Sequence, residues 1–349
     1  MLPLAITKPT YLWRGVLLYS GAHFVVDFAC AFLMFSRIHS SPDWYLCVLI
    51  YNFCAFAMQM PVGVLADRLN RNAWLAAAGC ALVALSFGAS AFPLAAAVTA
   101  GTGNAMFHIG GGVDVLNVSS EKSGPLGVFV SPGAFGIYFG TMLGKSDGLP
   151  VLAVLITLLA ASGLILSMRR FMRCGFPRNT DFSLDTGLSR GMGGATVCLF
   201  LVVCLRSWVG TTLGFPWKSM ALWSLALICA TVCGKAAGGF LADRIGAVRA
   251  SFLSLGLASV LFIFSNLPLA GVLAVLLFNM TMPVTLWAMA RIFPGAKGFS
   301  FGLLTFGLFL GFLPSYLGVS MGAFMGWPFA VTSAVSLLLI RAGLGKATP

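Results

Sequence analysis

Gly63-Val-Leu-Ala-Asp67-Arg68 and Gly239-Phe-Leu-Ala-Asp243-Arg244 are two versions of one hexapeptide, set 176 residues apart in a chain of 349. A second echo has nearly the same offset: Lys122, Gly127 and Gly136 match Lys297, Gly302 and Gly311 at 175 residues. Matches spaced by half the chain point to an internal duplication. Two related halves that rock about a site between them are a common plan for solute carriers.

What surrounds the two copies sets the solvent. The chain is 59% hydrophobic and only 9% charged, against about 25% charged in soluble domains. Its 41 glycines suit membrane helices, where small residues let backbones approach. Cutting at charges and turn residues leaves twelve apolar segments, close to the roughly 20 residues that a bilayer demands. They run over 13–35, 44–66, 73–91, 94–118, 124–144, 149–168, 192–215, 217–241, 247–265, 267–290, 299–320 and 323–340. Some loops are so short that eleven is the alternative count. The expectation is an all-α integral membrane protein with twelve transmembrane helices in two pseudo-symmetric six-helix bundles. Residues 1–168 form the first bundle, 169–191 a cytoplasmic basic linker, and 192–349 the second bundle.

A formal charge of +12 invites a nucleic-acid reading, but the basic residues are scattered over short loops. With both termini in the cytoplasm, sixteen Lys and Arg fall on that side. Arg37, Lys145 and Lys218 fall outside, and Arg206 and Lys235 stay within spans. The positive-inside rule accounts for the charge and places the chain in the cell (inner or plasma) membrane, with no nucleic-acid partner. The first ten residues lack a long apolar core, so the first span itself is expected to direct insertion. Most of the nine Cys lie inside apolar runs, as small packing residues do.

The G-x-x-x-D-R copies, one after the second span and one after the eighth, resemble the signature loop of the major facilitator superfamily. The first continues Leu69-Asn70-Arg71, with Asn where that family favours Gly; the second continues Ile245-Gly246. Within the superfamily the chain resembles the fosmidomycin-resistance group. The first span reads Gly21-Ala-His23-Phe-Val-Val-Asp27, like G-H-F-x-x-D with one extra residue. The fourth reads Gly101-Thr-Gly103-Asn104-Ala-Met-Phe-His108, with Ile109 replacing a Pro. Phe129, Gly133, Gly136 and Gly140 keep the fifth span's glycine spacing, Pro132 is extra, and Leu205-Arg206-Ser207 matches an L-R-S. The resemblance implies a carrier whose first, fourth, seventh and tenth helices surround a central cavity. Gly127, Ser131, Pro132 and Gly136 partly resemble the fifth-span antiporter motif, and so lean toward exchange.

His23 and Asp27 are four residues apart and share a helix face. Ionisable groups at membrane depth are costly and therefore functional by default. Burial makes a carboxylate's charge expensive, and imidazole titrates near neutrality. The pair is expected to carry a proton, the alternative being a neutral His and an Asp that only tie helices together. His108 lies at about the depth of His23, with Asn104 one turn away; the resemblance, which places the first and fourth helices around one cavity, implies two imidazoles across it and offers Asn104 and His108 to a substrate. Gly110, Gly111 and Gly112 either open the backbone toward a ligand or merely allow close packing. Arg206 has no carboxylate at i±3 or i±4. Its planar fork suits a phosphonate, phosphate or carboxylate, unless it salt-bridges Asp27. Lys235 is assigned to a gating pair with Asp114, or else to anion attraction. Asp67, Arg68, Asp243 and Arg244 are expected to bridge helix ends on the cytoplasmic side only when that side is closed. Gly127, Pro132 and Gly136 are packing residues.

The reading is a secondary transporter that moves a small anionic or zwitterionic solute by alternating access, with proton-coupled efflux favoured. It calls for no cofactor, no catalytic residue and no metal, and for a monomer. Multidrug cation efflux and uptake symport on the same fold are the near alternatives. A metalloenzyme using His23, Asp27 and His108 is disfavoured because the chain has only three His. A sensor is disfavoured because no soluble signalling domain is seen.

Overall fold

The computed structural model describes residues 9–119, 121–146, 148–171, 176–177, 180–184, 192–318 and 326–347. Twelve spans appear among them. The first is Pro9–Leu33 prolonged by a π-helical turn, Met34–Ile38, and the second is Trp44–Leu69, also with a π-helical turn at Phe53–Ala57. There follow Asn72–Gly88, Pro93–Val118, Gly124–Lys145 and Val151–Phe171, then Met192–Thr212, Ala221–Ile245, Ala247–Ile263, Pro268–Ile292, Lys297–Tyr316 and Trp327–Ala347. Nine are long and apolar enough to cross a bilayer; the third and ninth are shorter apolar helices. The fourth has the length, 26 residues, but carries Asn104, His108, Asp114 and Asn117. Of the linker, 172–175, 178–179 and 185–191 lie outside the described residues, Arg173, Arg178 and Arg190 among them, as does Lys8.

The duplication is visible in backbone detail. Asn70 adopts φ 50° and ψ 42°, the left-handed conformation that ends the second span, and Gly246 ends the eighth with φ 89°. The two turns stand at the repeat interval of 176 residues. The Asn that departs from the resembled signature is the non-glycine type that best tolerates positive φ.

Within each half the third span packs on the fourth, the ninth on the twelfth, and the seventh on the eleventh and twelfth. The halves meet along two seams, second span against eleventh and fifth against eighth. Both seams close at the signature-loop end through glycine. A Cβ on Gly63 would overlap the Gly298 backbone, and one on Gly239 would overlap Ser123. One turn further in, Gly302 rests on the Gln59 carbonyl and Gly127 on the Lys235 carbonyl, again as pseudo-equivalents. Lys235 thus stands where the other half has Gln59.

The fifth and tenth spans are discontinuous. The fifth breaks at Ser131–Pro132 and the tenth at Met280, just before Pro283. Broken helices at membrane depth are tolerated where the freed backbone lines a cavity or is bonded by neighbours. By contrast the fourth span runs unbroken through Gly110, Gly111 and Gly112. Added Cβ atoms there would meet Ala76, Tyr19 and Phe301. The triple glycine is therefore a packing device and does not open toward a ligand.

Candidate functional site: a polar cavity between the halves

Pro132 has no N–H, so the Val128 carbonyl loses its helical donor. Ser20 Oγ, which shares its one hydrogen with the Val16 carbonyl of its own helix at 2.8 Å, reaches the Val128 carbonyl at 3.1 Å, and the next carbonyl, Phe129 O, lies 2.7 Å from His23 Nδ1. The break in the fifth span thus orients a histidine of the first. His108 is oriented by its own helix: its Nδ1 bonds the Asn104 carbonyl at 2.9 Å. The two Nε2 atoms then meet at 2.8 Å. Asp27 completes the cluster, with Oδ2 3.1 Å from His23 Nε2, Oδ1 3.7 Å from His108 Nε2, and Oδ1 accepting from Asn104 Nδ2 at 2.9 Å. All four side chains are buried. Gly133 makes room for them, since a Cβ there would collide with Asp27 Oδ2 and His23 Nε2.

Proton counting follows from these bonds. A carbonyl oxygen offers only lone pairs, so both Nδ1 atoms carry hydrogen. A neutral imidazole has one N–H, and two neutral rings would face each other lone pair to lone pair. The 2.8 Å contact is a hydrogen bond only when the pair carries one additional proton, with the Asp27 carboxylate adjacent to balance its charge. Ligand-type atoms of His23, Asp27 and His108 lie within 4.8 Å of one another, a spacing within the reach of one metal ion. Ligands 2.0–2.1 Å from a tetrahedral ion stand about 3.3 Å apart. The imidazole nitrogens are closer than that and at hydrogen-bond distance, so the geometry fits a proton better than a metal.

Across the cavity, Arg206 is buried and forms no salt bridge among the described residues. The alternative partner Asp27 is engaged by His23, His108 and Asn104. Arg206 instead donates to Thr281 Oγ1 at 2.8 Å and Thr285 Oγ1 at 3.3 Å, both on the inner half of the tenth span. Its Nε has no protein partner. Lys235 does not pair with Asp114. Asp114 points into the first half, where Tyr19 Oη donates to it at 2.7 Å and Asn72 Nδ2 at 2.9 Å. The fourth and eighth spans are not neighbours in the bundle, so the expected gating pair is replaced by a packing contact and a cavity lysine. His23, Asp27, Asn104, His108, Arg206 and Lys235 all line one cavity of about 460 Å³.

At the signature-loop end the two acidic residues do matching work across the seams. Asp67 accepts from the amides of Gly298 and Phe299 at 2.8 and 2.9 Å, capping the eleventh span. Asp243 accepts from the amides of Ser123 and Gly124 at 2.7 and 3.0 Å, capping the fifth. Each carboxylate belongs to one half and meets a helix N-terminus of the other, where the helix dipole favours negative charge. Arg68 stacks over Phe182 of the linker, its guanidinium carbon 4.9 Å from the ring centroid. Arg244 lines a surface recess with Asp243 and Lys122. Gly127 and Gly136 pack as expected, the latter against the Phe24 carbonyl.

This helical fold has counterparts among solved structures. The fold is that of the major facilitator transporters. The E. coli fucose:proton symporter FucP shares 14% identity, over 95% of this chain and 98% of that one, with a TM-score of 0.64. The human organic anion transporter MFSD10 shares 16% over 95% and 98%, with a TM-score of 0.61. A bacterial homologue of the iron transporter ferroportin, in an outward-facing state, shares 16% over 96% and 97%, with a TM-score of 0.59. No protein-family profile and no curated protein sequence matches the chain. The likeness therefore carries the major facilitator fold and its multi-pass membrane setting.

Sequence reasoning missed Thr281, Thr285 and the Phe129 carbonyl, and it named Gly133 only for its glycine spacing and not for the room it leaves Asp27 and His23. Pro132 and Pro283 were the available signals, because each marks a place where a broken span turns backbone or hydroxyl groups toward neighbours.

Proposed function

We propose that the chain is a secondary active transporter of the major facilitator superfamily, exporting a small anionic or zwitterionic solute in exchange for protons by alternating access. One observation carries the reading. A single cavity has, on its first-half wall, a histidine pair in hydrogen-bonding reach that can share one added proton, and on its second-half wall Arg206 and Lys235, neither of them in a salt bridge among the described residues.

Positive groups buried without a counter-charge are costly, and an incoming anion supplies what is missing. The guanidinium is held by Thr281 and Thr285, so its free edge is already oriented. Proton and anion need not compete for the same atoms, because they occupy opposite walls. Asp67 and Asp243 hold the signature-loop end shut. By the positive-inside rule that end is cytoplasmic, so the caps close the cytoplasmic side. Export requires both caps to break, the halves to rock, and the cavity to open inward for the next solute. The fold likeness to a proton symporter and to an organic anion transporter supports this class of function, and the fifth-span motif supports exchange as the direction.

Competition binding of organic anions and cations to wild type and to Arg206→Lys tests the reading. Preference for anions, weakened by the substitution, is expected. Preference for hydrophobic cations, unaffected by it, would overturn the anion assignment.

A further inference from the structure

The two seams between the halves are not alike. The seam between the second and eleventh spans is closed along its length. Beyond Gly63 and Gly298 it continues through Phe53 stacked edge-on against Phe309 at 5.6 Å, and it ends where Tyr45 and Tyr316 each donate to the other's carbonyl at 3.1 and 3.2 Å. The seam between the fifth and eighth spans closes only at the Asp243 end. Beyond Thr231 and Ala134 it opens into a cleft of about 620 Å³ lined by the fifth, seventh, eighth and tenth spans. This cleft shares Ala134, Ile137, Thr141, Arg206, Thr231 and Asn279 with the central cavity, so the two are continuous.

The cleft's chemistry is graded. Leu227, Val275 and Phe278 form its buried wall, and Ile137 and Met142, about half exposed, stand at its mouth. Arg206 lies where it joins the cavity. Lys145 and Lys218 line the far end, and neither forms a salt bridge among the described residues. A small hydrophilic ion would leave this apolar cleft to water, which gains nothing there. A hydrophobic cation would meet Arg206, Lys235, Lys145 and Lys218, while Asp27 is already saturated by its own neighbours.

Resting on the anion-transport reading above, we infer that the solute is an amphiphilic organic anion. Its charged head lies against Arg206 and Lys235, and its hydrocarbon part runs outward through the open seam between the fifth and eighth spans. That seam gives the tail a path to the bilayer's hydrocarbon while the closed seam acts as the hinge side. The source of the anion is either a free single-chain acid or an anionic lipid.

Gly210 offers a clean test. It lines the cleft, and a Cβ added to it meets nothing within 4 Å, so Gly210→Leu starts from open space and adds apolar bulk to the cleft. The measurement is binding of acetate, butyrate, octanoate and decanoate to protein in phosphatidylcholine nanodiscs, for wild type and Gly210→Leu. Wild-type affinity is expected to rise about two- to fourfold per methylene, the value of a buried CH₂, and the variant to lose that rise while binding acetate as before. Displacement of decanoate by phosphatidylglycerol in the disc would support the inference with a lipid as the source; its absence would support it with a free acid. Equal affinity for short and long acids, or an unchanged chain-length dependence in Gly210→Leu, would overturn the amphiphile inference and leave the anion reading intact. Tighter binding of alkylammonium ions than of any carboxylate would overturn both.

Discussion

Asp67 and Gly298 belong to opposite halves, yet the carboxylate of one accepts the main-chain amide of the other at 2.8 Å, with the Phe299 amide on its second oxygen. The contact exists only while this end is closed. A hydrogen bond to a charged group contributes about 1.5–3 kcal/mol, and Asp67→Asn keeps one acceptor oxygen but loses the charge. Asp67→Asn and Asp243→Asn are expected to slow exchange by tenfold or more, with solute affinity shifting much less. Paired measurements of exchange rate and equilibrium binding check this; a lost affinity with an unchanged rate would contradict it.

Gly133 is the floor on which the proton cluster rests. In Gly133→Ala a methyl would overlap Asp27 Oδ2 and His23 Nε2, at an overpacking cost of about 1–3 kcal/mol. Proton-linked transport should be lost and the unfolding temperature lowered. Gly163→Ala in the sixth span meets nothing within 4 Å; it should transport normally and be at least as stable, as Ala favours helix over Gly. Equal behaviour of the two variants would refute the packing argument.

Arg206→Lys keeps the charge and loses the two-pronged hold on Thr281 and Thr285. Anion affinity should fall about 10- to 100-fold, since a flexible ammonium cannot replace an oriented planar fork. Thr281→Ala combined with Thr285→Ala should weaken binding in the same direction without touching the charge. Titration calorimetry with a common anion would decide; full affinity in the double alanine variant would show that the threonines orient nothing.

The spans, the duplication and the pairs His23 with Asp27 and Asn104 with His108 were readable, because each depends on spacing along a helix or on a repeat interval; that the two pairs face one another was only implied by the resembled fold. The Asn70 and Gly246 turns show how far that reach extends: two different residues answer the same demand for positive φ. What could not be read depends on which faces of different helices meet. Lys235 and Asp114 have similar depths, and only the packing shows one facing the cavity and the other held by Tyr19 and Asn72. In the same way, the Phe129 carbonyl bonds His23 of another span beside the break at Ser131–Pro132 in its own, a meeting of two helices that spacing along one of them does not show.

A proton shared by His23 and His108 and balanced by Asp27 would be the one exchanged for solute. Solute-dependent proton flux in proteoliposomes is the decisive measurement, comparing wild type with Asp27→Asn, which keeps the shape of the side chain and removes its charge. An outward anion gradient should drive protons inward in wild type, and Asp27→Asn should still bind the anion but move no protons. Anion movement without proton flux in wild type, or wild-type flux and pH dependence in Asp27→Asn, would contradict it.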